Sequence, residues 1–339
     1  MLKKDNMPRA QLIGEIGLSH EGSLGLALSM IDECKNSGLD YAKFQFHSSH
    51  HESTIDENFR VKIFPQDESR RKYWDRTSFT LEEWQKIVDH CHKVGIKFLC
   101  TPFSVYAAQQ LLNWGIREVK IGSGDALNFE LLEYVKIRFD RVFLSLGLIN
   151  RLEILKLFEF FQDFKGELVL FQCTSEYPAT TSEVGLSMIR HIQELGLSAG
   201  LSDHTGNPHV PMAAIAAGAS YVEFHVVFSK RQFGPDSESS LTFNEAASVS
   251  NFNDTWILAN DPNYDKDEVS KRLLQTRNKF GRGVTVSRSV KKGERITKDL
   301  LTLKKPHGPI SWEEVPLILN KRATRDLKPD VHLQHSDSE

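Results

Sequence analysis

From residue 10 to residue 228 the chain alternates short apolar runs with longer segments in which apolar positions recur every three or four residues. The runs AQLIGEIG (10–17), DYAKFQF (40–46), IKFLCTPF (96–103), EVKIGS (118–123), RVFLSLG (141–147), ELVLFQCTS (167–175), LSAGLSD (197–203) and SYVEFHVVF (220–228) have the length and composition of strands. Between them SLGLALSMIDECKNSG, TLEEWQKIVDHCHKVG, YAAQQLLNWG and SEVGLSMIRHIQELG carry helical periodicity, and several open on Ser or Thr and close on Gly, as capped helices do. Eight such units in roughly 260 residues predict an α/β fold, a (β/α)8 TIM barrel, over an open doubly wound sheet. The polar stretch from HSSHH to YWDRTS, after the second strand, is then a loop at the barrel mouth. The texture changes near residue 260: the pattern predicts a barrel over 1–262, a charged linker over 263–280, and a small β-rich domain over 281–339 whose tail, QHSDSE, is disordered.

Alternation within the strands sorts side chains by face. In YAKFQF, Ala42, Phe44 and Phe46 face the helices and Lys43 and Gln45 face inward; in YVEFHVVF, Tyr221, Glu223 and His225 face inward while Val222, Phe224 and Val226 face out; in EVKIGS, Lys120 faces inward. Unpaired charge in a barrel core costs several kcal/mol, so these groups belong at the wet carboxyl-terminal mouth, where this fold does its chemistry. The same end collects Glu15, Thr101, Ser123, Asp125, Ser145, Thr174, Ser175, Tyr177, Ser202, Asp203 and His204.

Composition narrows the partners. Acidic and basic residues nearly cancel, leaving a formal charge of -3, which lacks the footprint of a nucleic-acid or membrane-surface binder. No apolar run approaches the roughly 20 residues of a membrane helix, and MLKKDNMPRA lacks the apolar core of a secretory signal, so the expected location is the cytoplasm. Cys34, Cys91, Cys100 and Cys173 show no CxxC spacing and are read as reduced, buried thiols; no base adjoins Cys173 in sequence, which disfavours a nucleophilic role.

Each polar group has a plain reading beside a chemical one. A lone strand-end lysine is a solvated rim charge, but two lysines aimed into one mouth call for an anion, phosphate or carboxylate. His204 alone is a turn residue; with His225 on the adjacent strand it completes a pair of imidazoles suited to a divalent transition metal. His47, His50 and His51 of HSSHH are read as a solvated loop, and in SHEGS, Ser23 caps a helix with His20 flanking. Asp203 and His204 suggest a triad fragment, yet the sequence contains no GxSxG elbow. Ser202 and His204 share a face, so Asp203 points the other way and is left a turn role.

Taken in order, EIGLSHEGS, KFQF, CTPF, KIGSGD, LSLG, QCTSEYP, GLSDHTGN, VEFHVVF and GPDSESSL resemble the N-acetylneuraminate (sialic acid) synthase family, and VSRSVKKGERITKDLLTLKKPHGPIS is similar to its antifreeze-like (SAF) β-clip domain. The resemblance implies condensation of phosphoenolpyruvate with an N-acylated amino-hexose to a nine-carbon 2-keto sugar acid and phosphate. It implies a divalent metal, Mn2+ foremost with Mg2+ or Co2+ as alternatives, held by His204 and His225. Phosphoenolpyruvate would contact Lys43, Thr101, Lys120, Ser123, Ser145, Ser175 and Ser202; the sugar would contact Gln45, Asp125, Tyr177, Asp236 and Lys305; Glu15 would be the acid/base. A homodimer is implied, with the small domain capping the partner's site. The sequence departs from the family pattern at Phe224 (a lysine there), Ser237 (histidine), Glu21 (asparagine), Leu146 (threonine) and Lys305 (arginine), and lysine does not reproduce the planar fork of arginine. Synthases of other nonulosonic acids, such as legionaminic or pseudaminic acid, or of a sugar of a surface or spore-coat polysaccharide, and a non-catalytic sugar-binding barrel are the competing readings; a metal-dependent hydrolase ranks last.

Overall fold

A computed structural model describes residues 9–59 and 67–339. The first eight residues of the amino-terminal stretch and the middle of the mouth insert lie outside the described residues. Eight parallel strands, β1 (Gln11–Gly17), β2 (Tyr41–Phe46), β3 (Lys97–Pro102), β4 (Glu118–Ile121), β5 (Arg141–Ser145), β6 (Glu167–Cys173), β7 (Ser198–Asp203) and β8 (Tyr221–Val227), run in the order β3-β2-β1-β8-β7-β6-β5-β4. β3 and β4 lie side by side at the ends of this ladder, so the sheet forms a nearly closed barrel, ringed by helices. A two-residue strand, β9 (Leu241–Thr242), extends β8 at the mouth.

The predicted alternation holds. Ala42, Phe44, Phe46, Val119, Ile121, Val222, Phe224 and Val226 pack in the layer between strands and helices. A separate cluster of Ile13, Tyr41, Leu99, Phe143, Val169, Phe171 and Tyr221 fills the barrel interior. Local signals explain the helices. Leu81–Val94 opens on a capping box between Thr80 and Glu83 and ends at Gly95 in the left-handed conformation (φ 72°), while Trp84, Ile87, Val88 and Cys91 recur at helical spacing on its buried face. Truncating Trp84, almost fully buried, would cost about 3–5 kcal/mol. The four cysteines are free and buried.

The chain divides into two compact units between Pro262 and Asn263. In the second, β10 (Gly283–Val286) pairs antiparallel with β11 (Leu301–Lys304) over a core that includes Val284, Ile296, Ile310, Leu327 and Leu333. Two sequence expectations fail here. Much of the stretch read as a linker is helical, Lys266–Arg272 and Leu274–Phe280, because Asp265 caps the first helix and acidic and basic residues sit at the ends its dipole favours. The tail read as disordered is ordered: Asp337 is buried, accepts hydrogen bonds from Arg325 at 2.7 and 3.0 Å and from the backbone N–H of Gln334, and Arg322 and Glu339 exchange backbone hydrogen bonds. Among the described residues no helix is long and apolar enough to cross a membrane.

Candidate active site

Strand register builds the site in two rows. Glu15 on β1 lies beside Lys43 on β2 and His225 on β8, and Ser202 on β7 lies beside Glu223. Because these residues share the inward parity, they converge at the mouth above the apolar filling of the barrel. Lys43 Nζ sits 2.7 Å from Glu15 Oε2 and 3.5 Å from Glu223 Oε1; Lys120 Nζ sits 2.8 Å from Glu223 Oε2 and donates to Ser202 Oγ at 2.9 Å, with Ser145 Oγ 3.1 Å from Ser202. Lys120 also lies over the Phe171 ring, 4.3 Å from its centroid. All four charged groups are buried. Burial opposes charge on Glu223, yet Lys120 and Lys43 outweigh it and hold the carboxyl well below its ordinary range. Burial likewise opposes charge on Lys43, where Glu15 and Glu223 prevail and raise it; on Lys120 burial prevails, aided by repulsion from Lys43 and only partly offset by Glu223, and lowers it. The two lysines and two acidic side chains are thus paired with one another away from bulk water, the condition under which buried ions persist. An ammonium has three donors; Lys120 spends two of them, on Glu223 and Ser202, and keeps one N–H for an incoming anion, while Lys43 is ion-paired to Glu15 and Glu223.

A hydroxyl floor adjoins the lysines. Ser123 Oγ accepts the backbone N–H of Gly147 at 3.1 Å, and Ser175 lies so close that a Cβ on Gly147 would stand 2.4 Å from its Oγ and 2.9 Å from that of Ser123. Only glycine permits this approach. The resulting cleft, about 270 Å3, brings together twelve of the residues singled out from the sequence: Glu15, Lys43, Gln45, Thr101, Lys120, Ser123, Ser145, Ser175, Tyr177, Ser202, His204 and His225. Asp236 lines an adjoining recess of about 240 Å3 that Gln45, Tyr177 and His225 also border. Asp125 accepts from Asn128 at 2.9 Å in the turn after β4 and does not line the cleft. Lys305 belongs to the second unit, where its Nζ lies over the Phe280 ring.

The two histidines face each other with ring centroids 5.5 Å apart, and Tyr177 packs on His204. His204 Nδ1 donates to the Thr174 carbonyl at 2.9 Å, which leaves Nε2 as the lone-pair nitrogen, and burial, reinforced by His225, lowers its pKa to about 3, so the ring is neutral near pH 7. His225 Nδ1 is buried without a hydrogen-bond partner. A neutral imidazole beside an orphaned ring nitrogen fits a divalent cation that completes its shell with water or substrate oxygens. Among the described residues no group of three or more His, Cys, Asp or Glu side chains is arranged to hold a metal. Cys173 Sγ lies 3.8 Å from His204 Nδ1, but that nitrogen spends its proton on Thr174 and offers no base, while burial raises the thiol pKa. Asp203 has the turn role expected: it accepts from Thr205 N and Oγ1 at 3.1 and 3.0 Å.

Two readings of the sequence need correction. His47 is buried rather than solvated, because the aromatic rings of Trp74 and Phe103 enclose it, although His50 and His51 are exposed. His20 does more than flank: Ser23 does cap the first helix, but the His20 ring is buried against Phe79 and accepts the N–H of Gly22. Glu223, seen in sequence only as an inward-facing acid, proves to be the bridge between the two lysines; the signal was two lysines on strands of one interior, which require counter-charge. Phe224, where the resemblance leads one to expect lysine, packs in the layer between strands and helices and does not line the cleft.

Comparison with known proteins identifies the family. The NeuB family model matches residues 30–257 and the SAF domain model residues 281–337. An N,N'-diacetyllegionaminic acid synthase of Campylobacter jejuni is 30% identical over 331 residues, covering 96% of this chain and 98% of its own. A pseudaminic acid synthase of the same species is 27% identical, covering 96% of each. The solved N-acetylneuraminic acid (sialic acid) synthetase of Leptospira borgpetersenii superposes with a TM-score of 0.68 at 26% identity, covering 80% of this chain and 93% of that one. With a mouth built from β1, β2, β4, β7 and β8 and a family model that spans most of those strands, the chain belongs to the NeuB family.

Proposed function

We propose that the protein condenses phosphoenolpyruvate with an N-acylated amino-hexose to give a nine-carbon 2-keto sugar acid and phosphate. The observation that supports this most is the buried pair of lysines over a floor of serine hydroxyls and beside two histidines, with Lys120 keeping one N–H unspent. Lys43 and Lys120, with Thr101, Ser123, Ser145, Ser175 and Ser202, hold the phosphate and carboxylate of phosphoenolpyruvate through preorganised donors. The open-chain sugar lies above it, against Gln45, Tyr177 and Asp236, with Asp125 assigned to it by family resemblance and Lys305 assigned by the same resemblance to the site of the partner subunit. A divalent cation bound by His204 and His225, Mn2+ foremost, would polarise the sugar aldehyde as a Lewis acid. The methylene carbon of phosphoenolpyruvate bonds to the aldehyde carbon, water adds to the former enol carbon, and departure of phosphate leaves the ketone. Glu15, a carboxylate held between Gln45 and Lys43, orients that water and takes its proton.

The sugar belongs to the class that feeds sialic, legionaminic or pseudaminic acids. Leu18, Tyr73, Trp74 and Phe103 line the adjoining recess and favour a hexose with an apolar edge, such as a deoxy carbon or a second acylamino methyl. The same reading places the enzyme in the cytoplasm as a homodimer. The test is phosphate release from phosphoenolpyruvate and Mn2+ across a panel of N-acylated amino-hexoses, N-acetylmannosamine and 6-deoxy diacetamido sugars included, with a chelator control. Phosphate release with one sugar and its loss on chelation supports the reading; silence across the panel together with no phosphoenolpyruvate binding by calorimetry leaves a sugar-binding barrel instead.

A further inference from the structure

His47 follows β2 directly and is 7% exposed. Its ring lies nearly parallel between Trp74, centroids 3.8 Å apart, and Phe103, centroids 4.2 Å apart. In the plane of the ring each nitrogen meets an oxygen: Nδ1 is 2.8 Å from Glu52 Oε1, and Nε2 is 3.1 Å from Gln45 Oε1. The far side of the Gln45 amide fixes which of its atoms faces the ring. Gln45 Nε2 donates to Glu15 Oε1 at 2.6 Å, and turning the amide over would set its oxygen against a carboxylate. A carbonyl oxygen has no proton to give, so His47 Nε2 must be the donor; Glu52 Oε1 accepts as well, while Glu52 Oε2 takes the Ser48 N–H at 2.9 Å. A neutral imidazole has one N–H and would leave a lone pair facing an oxygen at one of these contacts.

We propose that His47 is a buried imidazolium, clamped by Glu52, that fixes the Gln45 amide with its N–H toward Glu15 and so positions the acid/base of the mouth. The surroundings favour the cation. Glu52 from the short helix Ser49–Glu52 pairs with it at 2.8 Å and Asp125 from the turn after β4 adds a further negative charge, and two aromatic faces attract positive charge. The basic neighbours are His20, kept neutral by burial, and Arg70, which lies over the Trp74 ring. Gln45 borders both the cleft and the recess, so the proton on His47 selects whether a bound sugar meets an amide N–H or an amide oxygen. This last consequence rests on the synthase reading above.

The experiment reads the ring directly. In the full chain labelled with nitrogen-15 histidine, His47, assigned by the signal lost in His47→Asn, carries protons on both ring nitrogens at pH 7. Glu52→Gln keeps an acceptor at the same place but removes the charge, and lowers the midpoint of ring deprotonation by about one pH unit. In turnover, the sugar KM rises about tenfold above that midpoint while the phosphoenolpyruvate KM stays within about twofold, and in Glu52→Gln the rise begins at the lower pH. If His47→Asn does not fold, Glu52→Gln alone assigns the signal by its shift. A singly protonated ring at pH 7 in the wild type, or a midpoint unmoved by Glu52→Gln, overturns the inference. Absence of turnover in the wild type counts against the synthase reading, and the ring spectrum still decides the state of His47.

Discussion

Glu223→Gln removes one negative charge from the middle of the site at nearly constant volume. The carboxylate stands 2.8 Å from Lys120 and 3.5 Å from Lys43. At an effective dielectric of about 20, a unit charge at the shorter distance is worth roughly 6 kcal/mol before desolvation. Measured losses from breaking buried pairs run about 3–5 kcal/mol, because the remaining ion keeps its desolvation cost. The cleft opens to water on one side, which places the expected loss at the lower end, about 3 kcal/mol. For a domain of this size that lowers Tm by roughly 6–12 °C. A merely structural defect would respond to nothing added; here two buried ammonium groups are left with only Glu15, and an anion can supply the missing charge. Thermal unfolding with and without inorganic phosphate or phosphoenolpyruvate therefore separates the two cases. The variant should recover several degrees on adding the anion, more than the wild type gains, and the recovery should fade as the pH rises, since Lys120 without Glu223 is pulled further toward its neutral form. A variant melting within about 2 °C of the wild type, or one that anions do not favour, refutes the account of the lysine pair.

Further outcomes follow from the same geometry. Gly147→Ala drives a methyl into the Ser175 and Ser123 hydroxyls, and phosphoenolpyruvate affinity by calorimetry should fall tenfold or more while the far-UV spectrum is kept. His204→Ala and His225→Ala should each abolish metal-dependent turnover; normal turnover by either one removes it from the ligand set. Burial holds the Asp203 carboxyl up at about 6, so it favours folding in its protonated form: the stability it contributes is complete below about pH 4 and is lost as the pH rises through about 6. Asp203→Asn, compared with the wild type by urea unfolding of metal-free protein, should gain up to about 3 kcal/mol between pH 4 and pH 8, and a difference flat with pH refutes this.

Strand parity carried most of what could be read in advance. A period of two leaves no freedom once one face is apolar, so Lys43, Lys120, Glu223 and His225 were assigned to the interior from Ala42, Val119, Val222 and their neighbours. His47 was misread because it lies one step past β2, where alternation no longer governs. Its enclosing ring, Trp74, comes from the helix Arg70–Thr77 in the mouth insert, a contact no local pattern announces. Composition misled at the carboxyl end. The polar tail suggested disorder, yet Asp337 finds Arg325 twelve residues earlier. The helical start at Asp265, by contrast, is legible in an acidic cap followed by Asp267 and Glu268 within the stretch whose charge suggests a linker.

The aromatic and aliphatic filling beneath Lys120 gives the cleft a floor. With Phe171 directly under the Lys120 ammonium, whatever occupies the lysines and serines lies at the bottom of a well that opens at the mouth. On the proposed assignment that occupant is phosphoenolpyruvate, and the sugar sits above it as a stopper. Traffic then has a compulsory sequence: the anion enters before the sugar, and the phosphate released at the bottom departs only after the sugar acid has cleared the shaft.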